Sequence, residues 1–209
     1  MSDTTARVVV GVTGASGALY AARLIHALVE AEAAVELVVS PTGLRLFRDE
    51  LDWSDAAPGR FHPRGAERIT PHPFRDVGAT LASGSFRHDG MVVVPCSSNT
   101  MSAIASGTAQ HLIHRAAYVT LKERRRLLVC HRETPLTRID LTNMLALHDA
   151  GATLLPCNPG FYHRPQDLTD LVDAWAVRVM DHLRLSLDTA GGRYRWSGRV
   201  VREPGDAGS

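Results

Sequence analysis

The chain is nearly without lysine. Its 209 residues carry 23 basic side chains, and all but Lys122 are arginines. Acidic residues number 22, leaving a formal net charge of only +1. That balance removes the bulk electrostatic case for nucleic acid, which calls for a basic face or stripe. Cysteine is scarce as well. Cys96, Cys130 and Cys157 are three, with no metal-like spacing, which argues against a disulfide framework and a thiolate metal site. Each ends or follows an apolar run, so buried reduced thiols are expected. No apolar run approaches the roughly 18 residues of a membrane-spanning helix, so no membrane is expected. The opening MSDTTAR has no apolar signal core, so a cytoplasmic protein is expected.

What is present suits a soluble globule, with 44% hydrophobic and 22% charged residues. The length fits one α/β domain with a real core. Residues 7–13, RVVVGVT, read as a strand buried on both faces. Gly14, Ala15, Ser16 and Gly17 make a tight turn, and apolar residues from Ala18 to Glu32 recur with helical period. Such a strand, turn and helix offers helix N–H groups to an anion. TGASGA is short of the dinucleotide fingerprint, so a phosphate or flavin loop and a plain turn both stay open.

AVELVVS (34–40) is a second strand ending at Ser40, and 41–51 reads as a helix. Residues 52–80, with four prolines, read as a long irregular excursion. His62 and His72 there have no carboxylate or thiol at ligand spacing, so they are expected to be solvated and no metal is expected. MVVVPC (91–96) is a third strand. Ser97, Ser98, Asn99 and Thr100 open a helix over 100–109; capping needs one of the four, which frees the others for a ligand. Arg115 and Lys122 fall in a basic linker, followed by a fourth strand at 127–132 that exits on Arg132 and Glu133. A helix over 135–150, a fifth strand at 152–157, a loop around Tyr162 and a helix begun by Asp167 complete the domain. The domain is expected to span 1–187 and a tail 188–209. Five alternations of strand and helix predict a doubly wound, mostly parallel sheet, in which the polar strand ends share one rim. That convergence points to an anionic or phosphorylated ligand.

Several segments together carry a resemblance: TGASGA, ASGS (82–85), PCS–x–x–T, RAA–x–V–x–LKERR, RE–x–P and PGFYHRPQ. From about residue 8 to 185 the chain resembles the UbiX/Pad family of flavin prenyltransferases, Rossmann-like flavoproteins. The resemblance implies a metal-independent transferase that moves a dimethylallyl group from dimethylallyl phosphate or pyrophosphate to N5 and C6 of reduced FMN. Its product would serve a UbiD-type decarboxylase, and its assembly would be a homo-oligomer, a dodecamer in the usual case. Residue by residue, the resemblance implies that Gly14, Ala15, Ser16, Ser40, Ser97, Ser98, Asn99, Thr100 and Arg132 hold the flavin. It implies Arg115, Lys122, Arg132, Tyr162, Arg178 and Trp196 for the substrate. Glu133 would donate a proton to the leaving phosphate, with Lys122, Ser16 and Glu50 as further catalytic groups.

Two positions depart from the family pattern. Val77 stands after Asp76 where an aromatic residue is usual, and Tyr118 follows RAA where an aspartate is usual. PCSSNT also leans toward flavin-dependent cysteine decarboxylases, which lack LKERR and RE–x–P. The alternatives are therefore an FMN-binding member with another allyl donor or no transferase activity, and a cysteine decarboxylase. Lys122→Ala should abolish transfer while FMN stays bound; flavin lost on gel filtration would assign the lysine to the wrong ligand.

Overall fold

In chain order the elements are β1 (Arg7–Val12), α1 (Ala18–Glu30), β2 (Ala34–Val39), α2 (Pro41–Leu51), α3 (Pro58–Phe61) and β3 (Ile69–His72). They continue with β4 (Gly90–Cys96), α4 (Ser98–Ala105), α5 (Leu112–Lys122), β5 (Arg126–His131), α6 (Arg138–Asp149), β6 (Thr153–Leu154) and α7 (Leu168–Leu183). These come from a computed structural model that describes residues 5–185 and Tyr194. The strands form one sheet in the order β3-β2-β1-β4-β5-β6, every neighbouring pair parallel. The chain winds outward one way from β1 and the other way from β4, so the switch point lies between them.

The central strands alternate between two cores. Val8, Val10 and Val92 face α1 and α7, joined there by Leu28, Trp175 and Met180. Val9, Met91, Val93 and Leu127 face the opposite side with Met101 of α4 and Ile113 of α5. Covering both faces explains why these strands are unbroken apolar runs. Cys96 and Cys130 are buried and all three cysteines are free, as expected. Burial pushes the Cys157 thiol up to about 12, so it is no thiolate at neutral pH. Among the described residues no helix is long and apolar enough to cross a membrane.

Several expectations need correcting. The linker holding Arg115 and Lys122 is the helix α5, whose buried stripe includes Leu112, Ile113, Ala116, Ala117 and Thr120. Its small and polar members masked the period. The irregular excursion contains an edge strand, β3, where Pro71 is tolerated because an edge leaves an N–H side unpaired. The fifth predicted strand shrinks to two residues, Thr153 and Leu154. The helix at 135–150 begins later, capped by Thr137, whose side chain and that of Asp140 satisfy each other's backbone N–H groups. Likewise the helix at 100–109 is shorter and earlier, Ser98–Ala105. His62 and His72 are not solvated. His62 Nε2 lies 2.6 Å from Glu30 and His72 Nε2 lies 2.7 Å from Glu36. Both carboxylates are distant in sequence, so spacing could not reveal them. Tyr194, from the tail, packs on Ala174 and Val177 of α7 and its hydroxyl donates to Asp170 at 2.9 Å.

At the start of α5, His111 and His114 stack with ring centroids 3.5 Å apart, beside Phe74. Nδ1 of His111 and both ring nitrogens of His114 have no hydrogen-bond partner. Burial, then the neighbouring His114, draws His111 down to about 4, and burial lowers His114. On acidification the unfolded chain takes up these protons first. Stability is therefore full above about pH 6.5 and falls as the pH drops toward about 4. With His111 only half-buried and partly screened, the loss should be about 1–2 kcal/mol. Urea midpoints measured across that window should show it, and His111→Phe should flatten it.

Candidate active site

The site starts at the switch point. Thr13 closes β1 and is 2% exposed. Its hydroxyl donates to Pro95 O at 2.7 Å and accepts from the Ser97 N–H at 2.9 Å. One side chain thus ties the end of β1 to the end of β4. The loop Gly14–Gly17 follows, with Gly14 and Ser16 exposed at the rim. Gly17 has φ +121°, and a Cβ there would also press on the Tyr20 ring at 3.0 Å, so glycine is required.

The N-terminus of α1 is not bare. Glu50, on the last turn of α2, accepts from the Gly17 N–H at 2.9 Å and the Ala18 N–H at 2.7 Å. A carboxylate is favoured there by the helix dipole. Ser40 caps α2, its hydroxyl accepting from the Gly43 N–H at 2.9 Å and lying 3.1 Å from Thr42 Oγ1.

The four residues after β4 divide their duties. Ser97 caps α4, accepting from the Thr100 N–H at 3.3 Å and donating to Thr100 Oγ1 at 3.1 Å. Ser98 Oγ lies 3.0 Å from His131 Nε2. Hydrogen bonds from Thr137 and Ser98 hold the Asp140 carboxyl down at about 2. An ionised carboxylate only accepts, so Ser98 donates to Asp140 and accepts from His131. Burial lowers His131, keeping it neutral at pH 7. Asn99 alone of the four is exposed.

Arg132 leaves β5 and crosses the mouth, its Nε donating to Ser16 O at 3.0 Å. Glu133 is exposed beside it and accepts from the Thr134 N–H at 3.0 Å. Gly14, Ala15, Ser16, Ser40, Glu50, Ser97–Thr100, Arg132 and Glu133 therefore share one rim.

The remaining candidates stand elsewhere. Tyr162 and Arg178 line a cavity of about 260 Å³ between the loop after β6 and α7, with Asn158, His163 and Trp175. Arg178 lies 3.7 Å from Asp181. Arg115 donates from Nε to Ala82 O at 3.2 Å and lies over the Tyr118 ring. Lys122 pairs with Glu123 in a surface hollow shared with Arg124, Arg125 and Asp149. That hollow is at the amino edge of the sheet, below the start of β5. At about 3.3 Å per residue, β5 puts Lys122 roughly 20 Å from Arg132. Val77 is 50% exposed on the turn before β4. Trp196 lies outside the described residues.

Sequence reasoning missed Thr13, His131 and Asp140. Thr13 and His131 each interrupt the end of an apolar strand, which is a usable signal for a buried polar tie. Asp140 sits three residues after Thr137, the spacing of a capping box.

The residues fit a flavin phosphate and ring. Three helix N-termini (α1, α2, α4) converge on the rim, the arginine spans it, and backbone is exposed at Gly14 and Ser16. The Flavoprotein family profile matches residues 1–177. The flavin prenyltransferase UbiX of Thauera aromatica is 42% identical over 197 residues, 94% of this chain and 97% of that one. A crystal structure of AnUbiX (PadA1) with FMN and dimethylallyl pyrophosphate superposes with a TM-score of 0.82 at 39% identity, covering 94% of this chain and all of that one. A dodecameric FMN-dependent UbiX-like decarboxylase from Escherichia coli O157:H7 gives 0.80 at 38% identity, covering 92% and 100%.

Thr13→Val keeps the volume but leaves the Ser97 N–H without its acceptor. It should cost about 1–3 kcal/mol of unfolding free energy, read from urea titration.

Proposed function

This chain belongs to the UbiX/Pad family of flavin prenyltransferases, and from that premise we propose how its residues divide the work. The enzyme transfers a dimethylallyl group from dimethylallyl phosphate or pyrophosphate to N5 and C6 of reduced FMN. Reduced FMN supplies the nucleophilic positions. The chain supplies binding, orientation and charge.

The observation that carries the reading is the shared rim: three helix N-termini and Arg132 around one mouth. Gly14, Ala15, Ser16, Ser40 and the Ser97–Thr100 loop would hold the FMN, with Arg132 between it and the prenyl donor. Breaking an allylic C–O bond leaves negative charge on the departing phosphate, which fixed cations stabilise. Arg132 is one such cation, and Tyr162 and Arg178 offer a second cluster. Glu133, exposed beside Arg132, would deliver a proton to the phosphate. Glu50 competes with any anion for the α1 N-terminus, so it orients that helix and tunes the rim's charge. Val77 offers no aromatic face to an allyl cation; Trp196 is the residue for which we reserve that role.

Lys122 lies too far from its own rim to join it. We therefore assign it to the rim of a neighbouring copy, together with Arg115 of the same helix. Exposed apolar side chains support an assembly: Ile139, Leu141 and Leu145 of α6, with Phe161 and Leu168, are 54–70% exposed in the single chain. A dodecamer like that of the Escherichia coli relative is the arrangement we favour. Delivery of the product to a UbiD-type decarboxylase in the cytoplasm completes the proposal.

Incubation with reduced FMN and dimethylallyl phosphate should add one five-carbon unit to the flavin mass. Unchanged flavin with both the phosphate and the pyrophosphate would sink the reading. Arg132→Ala and Lys122→Ala should each be inactive alone. Co-assembled, they should recover roughly a quarter of the wild-type rate, because random pairing restores that share of sites. No recovery would return Lys122 to its own chain.

A further inference from the structure

At its far end, α1 carries a group of side chains with no part in the rim. His26 and Glu30 are one turn apart and share a face of the helix. The excursion after α2 lays His62, just past α3, against that face. One ligand atom from each of His26, Glu30 and His62 lies within 4.8 Å of the others. The two imidazoles stack, with centroids 4.7 Å apart and planes at 30°. His62 Nε2 is 2.6 Å from Glu30 Oε1.

Two further observations favour a cation. His26 Nδ1 is 3.1 Å from Phe61 O. A carbonyl only accepts, so Nδ1 carries the proton and Nε2 keeps its lone pair. A backbone carbonyl holding one imidazole nitrogen is how ligating histidines are oriented. In addition, His62 is 8% exposed and its Nδ1 has no partner. Glu30 is exposed and has freedom to swing inward.

We propose that His26, Glu30 and His62 bind a divalent transition-metal ion of the zinc class. Two imidazoles and one carboxylate match zinc's ligand preferences, with water in the fourth position. Binding replaces the His62–Glu30 hydrogen bond: the ring proton passes from Nε2 to Nδ1, leaving the Nε2 lone pair for the ion. The ion would clamp the 52–68 excursion onto α1. It would take no part in prenyl transfer, because residues 26–30 stand about 14–20 Å along α1 from Gly17.

The test uses tag-free, chelator-treated full-length protein and zinc alone. Equilibrium dialysis at micromolar free zinc should give one zinc per chain, and zinc should raise the thermal midpoint. Cobalt should give the ligand-field absorption of a four-coordinate nitrogen and oxygen site. His26→Gln and Glu30→Gln should each weaken binding about tenfold or more. Neither side chain is core, so both variants should fold if His62→Gln does not. No bound zinc in the wild type would overturn the site. So would wild-type affinity in His26→Gln, which would point to the His111–His114 pair instead.

Discussion

Parallel strands end together, and everything at this site follows from that. The carboxyl ends of β1, β2, β4 and β5 stop on one edge, and three of the helices that follow start there. Each helix start leaves N–H groups that its own turns cannot satisfy. The rim must therefore be closed by side chains or by a ligand. Ser40 and Ser97 close two helices. Glu50 closes the third from another element. Thr13 holds the two halves in register by bonding both to Pro95 and to Ser97. A threonine suits this place because its hydroxyl donates and accepts at once. A flavin bound at this rim would meet polar groups already fixed in direction, which reduces the ordering that binding would otherwise require.

Much of this was legible in the sequence because the central strands are buried on both faces. A doubly buried strand has no polar alternation to confuse it, so β1, β2, β4 and β5 stand out as β-branched runs. The helices α1, α2 and α7 show their stripes for the same reason: each covers one core with large apolar side chains. Ser97 was recognisable as a cap, and Arg132 as a strand-exit cation. What failed lies at the periphery. β6 pairs on one side over two residues, and β3 is an edge strand containing proline, so neither needs a strong pattern. α5 buries alanine, threonine and histidine, which dilute its period.

The position of Lys122 was not legible, and the reason is physical. Motif spacing records which residues are near in the chain. A helix of 11 residues carries Lys122 to the opposite edge of the sheet. The single chain thus separates a polar rim at one edge of the sheet from its one lysine at the other. Ile139, Leu141 and Leu145 of α6 are likewise exposed in the single chain. Quaternary geometry leaves little trace in one chain's periodicity, since an interface residue obeys the same period as any other.

The precision of the rim depends on α1, which is held along its length. Glu50 grips its first turn. Arg23 makes two hydrogen bonds to Asp173 of α7, at 2.6 and 2.8 Å, a planar fork that fixes rotation as well as distance. Tyr20 packs edge-on against Trp175, whose own N–H donates to Pro156 O beside the Arg178 cavity. His26 and Glu30 meet the 52–68 excursion at the other end. A surface ion pair alone contributes little to stability. These contacts matter for a different reason: they remove the helix's freedom to slide or roll against the sheet. The loop Gly14–Gly17 hangs from that helix, so any movement of α1 is a movement of the rim. For a reaction that turns on holding an allyl carbon against a ring atom, displacement of an ångström is costly. The helix farthest from suspicion as chemistry is, on this argument, the one that sets its geometry.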